Sequence, residues 1–166
     1  MDNTYDGTAE SRPDYIRSLL KASPLILDDF HPDDMLEFLQ AGTKLQFVDG
    51  NVVNESLPSA NSACLIAMGK VGIWEDRIQL AVYEKGAFVG ETFLFNKHSQ
   101  PGRIVAIGDT TLLHFDRGTV LSYFRNKPSK LFNIFTRNII HIQKVRLDNT
   151  NKQLCKLKKR ILDDRI

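Results

Sequence analysis

The sequence predicts an α+β fold: an antiparallel β-roll or jelly roll of about eight short strands, with N-terminal helices and a long C-terminal helix. Three observations predict it. Apolar residues recur at helical spacing near the N-terminus. Short β-rich runs separated by turn residues fill the stretch from Lys44 to Phe115. Helical spacing returns after Asp116. Helices and strands in separate blocks, rather than alternating, argue for α+β and against a parallel α/β sheet. No internal repeat is present.

The elements follow in order. Residues 1–13 are polar, carry Gly7 and Pro13, and are expected to form a flexible N-terminus. Ile16, Leu19 and Leu20 then keep the i, i+3, i+4 pattern of a helix that Ser23-Pro24 breaks. A second helix opens at His31-Pro32-Asp33-Asp34, where proline suits the first turn and the aspartates meet the positive end of the helix dipole. Met35, Leu36, Phe38 and Leu39 cover its inner face, and Gly42 ends it. The predicted strands are Leu45–Val48, Val52–Val53, Cys64–Met68, Val71–Trp74, Ile78–Tyr83, Ile104–Ile107 and Thr111–Phe115, with a short apolar piece at Thr92–Phe95. Val120, Leu121, Tyr123 and Phe124 mark a helix that Pro128 stops, and a long helical pattern starts at Ser129. The expected organisation is a β-roll with flanking helices over 14–128 and a C-terminal helix, a candidate dimerisation segment, over 129–166.

The 166 residues fit one domain, with 42% apolar and 25% charged residues as in ordinary globular chains. Such a domain folds without needing a disulfide or a metal. With 22 basic against 20 acidic residues the net charge is +2, which excludes a wholesale nucleic-acid or membrane-surface binder and makes any basic site local. Cys64 lies in an apolar run and reads as a small buried hydrophobe, whereas Cys155 lies in a charged tail. No CxxC pair exists and the four histidines are scattered, so no metal site is expected. The N-terminus lacks a signal-peptide pattern and no apolar stretch approaches roughly 18 residues, so the expectation is a cytoplasmic protein away from the membrane. No Ser-His-Asp order, HExxH motif or phosphate-binding Walker loop appears, and no enzymatic activity is expected.

One segment carries chemistry. Gly86-Ala87-Phe88-Val89-Gly90-Glu91 joins a strand to Thr92–Phe95. Gly90 permits a tight turn or a close backbone approach. Thr92–Phe95 could open a short helix whose N–H groups meet an anion. Glu91 only accepts hydrogen bonds, so it suits hydroxyls rather than a phosphate. A phosphorylated sugar supplies both groups; a plain strand-to-helix turn explains the same string.

In context, the chain from roughly Tyr15 to His141 resembles the cyclic nucleotide-binding domain family. This is the sensory half of the catabolite activator and Fnr-type regulators and of cyclic-nucleotide-dependent kinases and channels. Phe47-Val48-Asp49-Gly50, Leu65-Ile66-Ala67-Met68-Gly69-Lys70-Val71, Gly86–Glu91, Asp109–Leu113 and Phe115-Asp116-Arg117 carry the resemblance, with Val120–Phe124, Pro128, Leu131 and Phe135 fitting two closing helices. It implies cyclic AMP or cyclic GMP as ligand, with Glu91 on the ribose 2′-hydroxyl and an arginine on the cyclic phosphate. The pattern departs at the arginine. The positions nine and ten after Glu91 are Gln100 and Pro101, and the nearest arginine is Arg103. The missing charge-assisted hydrogen bonds are worth about 1.5–3 kcal/mol, which argues against ordinary cyclic AMP binding. The strand-end glycine usual near Ser56 is also absent. The candidate ligand residues are Gly90, Glu91, Thr92, Gln100 and Arg103. Lys97 and His98 read either as anion contacts or as solvated loop residues, Trp74 as an edge or core aromatic, and Phe93 and Phe95 as core.

In the tail, Ile140, Leu147, Leu154 and Ile161 fall seven residues apart, with Leu157 between the last two and polar Gln143 and Thr150 beside them. Two readings stay open: a dimeric coiled coil, or a helix folded back over its own domain. Lys152, Lys156, Lys158, Lys159 and Arg160 form either a solvated face or a site for an acidic partner or nucleic acid. DNA is not expected as a partner, because DNA-binding relatives carry a helix-turn-helix after the long helix and only Arg125–Ile166 follow the core here. The functional expectation is a stand-alone regulatory module that senses a nucleotide-type ligand and signals through its C-terminal helices to a homodimer mate or a partner protein. The alternative is a fold that has lost its ligand and serves protein interaction.

Overall fold

The computed structural model describes residues 13–58, 61–94 and 102–163. Helix α1 (Asp14–Ala22) buries Ile16 and Leu19, and ends at Ser23, whose left-handed φ of 46° turns the chain into Pro24. After a single 3-10 turn at Leu25–Leu27, α2 (Pro32–Ala41) begins as its sequence dictates. Proline occupies the first turn, the His31 ring nitrogen accepts from the Asp33 N–H at 3.4 Å, and Phe38 and Leu39 face inward. Gly42 follows because a Cβ there would lie 2.7 Å from the Phe115 ring.

The sheet is antiparallel, with strands β1 (Thr43–Phe47), β2 (Ser62–Glu75), β3 (Ile78–Glu84), β4 (Phe88–Val89) and β5 (Arg103–Asp116). Their order is β1-β5-β2-β3, with β4 paired to β2. Runs that read as separate strands join here. Cys64–Met68 and Val71–Trp74 form one strand, β2; Ile104–Ile107 and Thr111–Phe115 form β5. The turn residues between them bend the strands instead of ending them. Gly69 has φ +78°, and a Cβ on it would lie 2.5 Å from the Asp109 carbonyl oxygen. The β2–β5 register shifts on both sides of Met68. Such bulges bend a long hairpin into a roll. Val52 makes an isolated bridge to Val105 rather than a strand.

Alternation along β2 and β5 sends side chains into two cores. Ala63, Leu65, Ala67, Leu113 and Phe115 face the helices, where they meet Phe38, Phe88, Phe124 and Phe135. Cys64, Ile66, Ile104, Ala106 and Leu112 face the roll interior with Val53, Val71 and Val89. Cys64 is the buried hydrophobe expected, and burial pushes its thiol up to about 12. Cys155 is exposed.

Helix α3 (Arg117–Arg125) is capped by Asp116, which accepts the Thr119 N–H at 2.9 Å. Helix α4 (Ser129–Asp163) starts right after Pro128. Its first half is anchored: Leu131, Phe135, Ile139 and Ile142 are buried, and the Asn138 side-chain amide donates to the carbonyls of Ile26 (3.1 Å) and Asp28 (2.8 Å). Its second half is bare. Leu147, Leu154, Leu157 and Ile161 are all exposed, so folding back over the domain is confined to the part of α4 before Leu147. Among the described residues no helix is long and apolar enough to cross a membrane. The expected flexible N-terminus falls almost wholly outside the described residues.

Candidate functional site

The site forms where β4 leaves the sheet. Gly90 has φ +81°, and a Cβ there would come 2.8 Å from the Ser62 carbonyl oxygen, so the turn accepts glycine alone. The chain then makes one 3-10 turn, Glu91–Leu94, rather than the start of a longer helix. Phe93 and Leu94 point into the core, as expected for Phe93, and Glu91 is carried inward with them, to 3% exposure.

A buried carboxylate needs partners. Both described partners of Glu91 come from α4. The Gln143 side-chain amide and the Arg146 guanidinium donate to the same Glu91 oxygen, Oε1. The guanidinium also donates to the Phe88 carbonyl at 2.6 Å and lies 4.4 Å from the centre of the Tyr83 ring, a cation–π contact. Arg146 is thus gripped by β3, β4 and the 3-10 turn. Beside the pair lies a cavity of about 210 Å³, walled by Ile73, Tyr83, Val89 and Ile104 and edged by Gly90, Glu91, Thr92 and Arg146. A larger hollow of about 740 Å³ involves Tyr15, Lys44, Met68 and Asp109. Its charged residues Asp14, Lys44 and Asp109 are all exposed, so it is an open cleft without the buried charge that marks the Glu91 site.

Of the residues predicted from sequence, Gly90, Glu91 and Thr92 come together on the small cavity. Arg103 does not join them. It begins β5 with an exposed side chain whose Nε lies 3.9 Å from the Glu55 carboxylate. Gln100, Lys97, His98 and Phe95 lie outside the described residues. Trp74 is half-buried on β2 and does not line the cavity. Sequence reasoning missed Tyr83, Gln143 and Arg146. One trace was present: Gln143 breaks the apolar seam, and Arg146 follows it at i+3, on the same helix face.

Known proteins agree with this fold. A family model for the cyclic nucleotide-binding domain matches residues 45–127. A cyclic nucleotide-binding domain from Methylobacillus flagellatus aligns at TM-score 0.71 and 16% identity, over 86% of this chain and 83% of that one. The Thermus thermophilus catabolite activator protein aligns at TM-score 0.61 and 19% identity, over 81% of this chain but only 63% of its own length. The c-di-GMP-responsive global regulator CLP of Xanthomonas campestris aligns at TM-score 0.63 and 19% identity, over 77% of this chain and 65% of that one. No curated protein matches the sequence. The matched segment spans half the chain and runs from β1 through Gly90 and Glu91 to the end of α3, and the chain belongs to the cyclic nucleotide-binding domain family.

Proposed function

We propose that this chain is a regulatory module, without catalytic activity, that receives a nucleotide-type ligand at the Glu91 turn and signals through α4. One observation carries the reading: α4 itself supplies the donors to the site's carboxylate, so a change at Glu91 acts on the helix directly. Glu91 accepts hydroxyls of the ligand, and Gly90 and Thr92 shape the backbone around it. Gln100 is a further candidate contact, and Arg103, exposed at the start of β5, joins the site only if it turns away from Glu55 when ligand binds. The output is contact of the distal part of α4 with a second copy or another protein in the cytoplasm, through the exposed seam Leu147, Leu154 and Ile161; DNA is not part of the reading. Titration calorimetry of the full chain with cyclic AMP, cyclic GMP and cyclic di-GMP tests it. Saturable heat with at least one, abolished by Glu91→Ala, is expected; no heat with any of them removes the ligand reading.

A second reading, a protein-interaction module that has lost its ligand, is favoured by the cavity. Its 210 Å³ falls below the roughly 300–1,000 Å³ of ordinary ligand pockets. Sedimentation of the intact chain beside Leu147→Asp/Leu154→Asp separates the outputs. A concentration-dependent dimer lost in the variant supports self-association.

A further inference from the structure

We propose that Arg146 is an intramolecular counter-ligand: a cation carried by α4 that occupies the Glu91 carboxylate and that an incoming ligand must displace, so that ligand loosens α4 instead of docking it. The inference rests on the reading of Glu91 as the ligand's acceptor.

The observations converge on displacement. Glu91 has a side chain only 4% exposed, and its Oε1 already receives two donors from α4. A hydroxyl arriving at that oxygen competes with both. Arg146 is held as a bound ligand is held, with one amino group on the carboxylate, the other on the Phe88 carbonyl, and its central carbon over the Tyr83 ring. With the guanidinium in place, the 210 Å³ cavity is smaller than a nucleotide site requires. The pair is also internally neutral, so it offers an anion no net attraction. Arg103, which faces Glu55 outside, adds none. Opening the ion pair frees the carboxylate for a hydroxyl and leaves the guanidinium for solvent or a phosphate. It also removes one of the two described polar ties between α4 and the Glu91–Leu94 turn, leaving the Gln143 hydrogen bond alone.

Hydrogen exchange on the full chain tests the latch without any ligand. Arg146→Gln is expected to speed exchange of the amides at 139–146 at least tenfold while β2 and β5 stay protected, and Arg146→Lys to give an intermediate effect. Glu91→Gln/Arg146→Gln, which removes both charges at once and so leaves no unpaired buried carboxylate, guards against general unfolding and is expected to loosen α4 likewise. Unchanged protection of 139–146 in both glutamine variants overturns the proposal. In parallel, cyclic AMP, cyclic GMP and cyclic di-GMP are titrated into wild type and Arg146→Gln. Roughly tenfold tighter binding in the variant, and faster exchange at 139–146 when wild type is saturated, are expected. Weaker binding in the variant, or slower exchange on saturation, overturns displacement. If neither chain takes up any of the three nucleotides, the nucleotide reading falls, and the exchange experiment alone decides the latch.

Discussion

The two halves of α4 share one helix and differ in almost everything else. From Ser129 to Arg146 the helix is part of the domain: Phe135 is fully buried among the rings of Phe30, Phe38, Phe88 and Phe124, Asn138 ties two carbonyls, and Arg146 reaches the site. From Leu147 onward every described residue is exposed, including five large apolar side chains. Helical periodicity is the same in both halves. What differs is whether a neighbouring surface exists to receive the apolar stripe, and helices draw most of their stability from such packing rather than from propensity. The proximal half is therefore held by the fold. The distal half is helix that no other described residue covers.

The contrast can be broken or sharpened by measurement. The largest effect is expected from Phe135→Ala, which empties the aromatic cluster between α4 and the sheet. A loss of about 3–5 kcal/mol should appear in urea unfolding, and a loss below about 1 kcal/mol would mean that α4 is not integral to the domain. Next comes Asn138→Ala, which leaves the Ile26 and Asp28 carbonyls without their donor. About 1–3 kcal/mol is expected by the same measurement.

A smaller effect concerns the cap that leads the chain toward α4. The Thr119 hydroxyl and N–H hold the Asp116 carboxyl below its ordinary range. A carboxyl lowered in the folded state contributes stability above its unfolded value of 3.8, and that contribution disappears as pH falls through the lowered value. Asp116→Asn should cost about 1 kcal/mol near neutral pH and flatten the loss of stability below about pH 4. An acid profile identical to wild type would refute this role. The smallest effect is expected from Leu154→Ala, within about 0.5 kcal/mol for the isolated chain. A larger loss that grows with protein concentration would show that a second copy covers the distal half.

These contrasts also mark how far the sequence reached. Both helices before the sheet, the stop at Pro128 and the β-rich middle were legible, because each rests on local signals: proline at a helix start, glycine at a turn, apolar residues at a fixed period. Joining the short runs into β2 and β5 was not. A glycine that bends a strand and one that ends it look alike until the partner strand is placed. The Gly90-Glu91 turn was legible for the same local reason. Its cation was not. Arg103, twelve residues along, looked nearer than Arg146, which is 55 residues from Glu91 in sequence.

By itself, then, the sequence determined the α+β class, the order of elements, the glycine-and-glutamate turn and a seven-residue apolar seam, since period and turn chemistry are written within a few consecutive residues. The tertiary structure alone decided that the cation meeting Glu91 comes from α4, and that the seam is bare after Arg146. Both depend on where a helix lands against a sheet distant in sequence. That position is set by the summed packing of Phe135, Ile139 and Ile142 and the hydrogen bonds of Asn138, not by any local pattern.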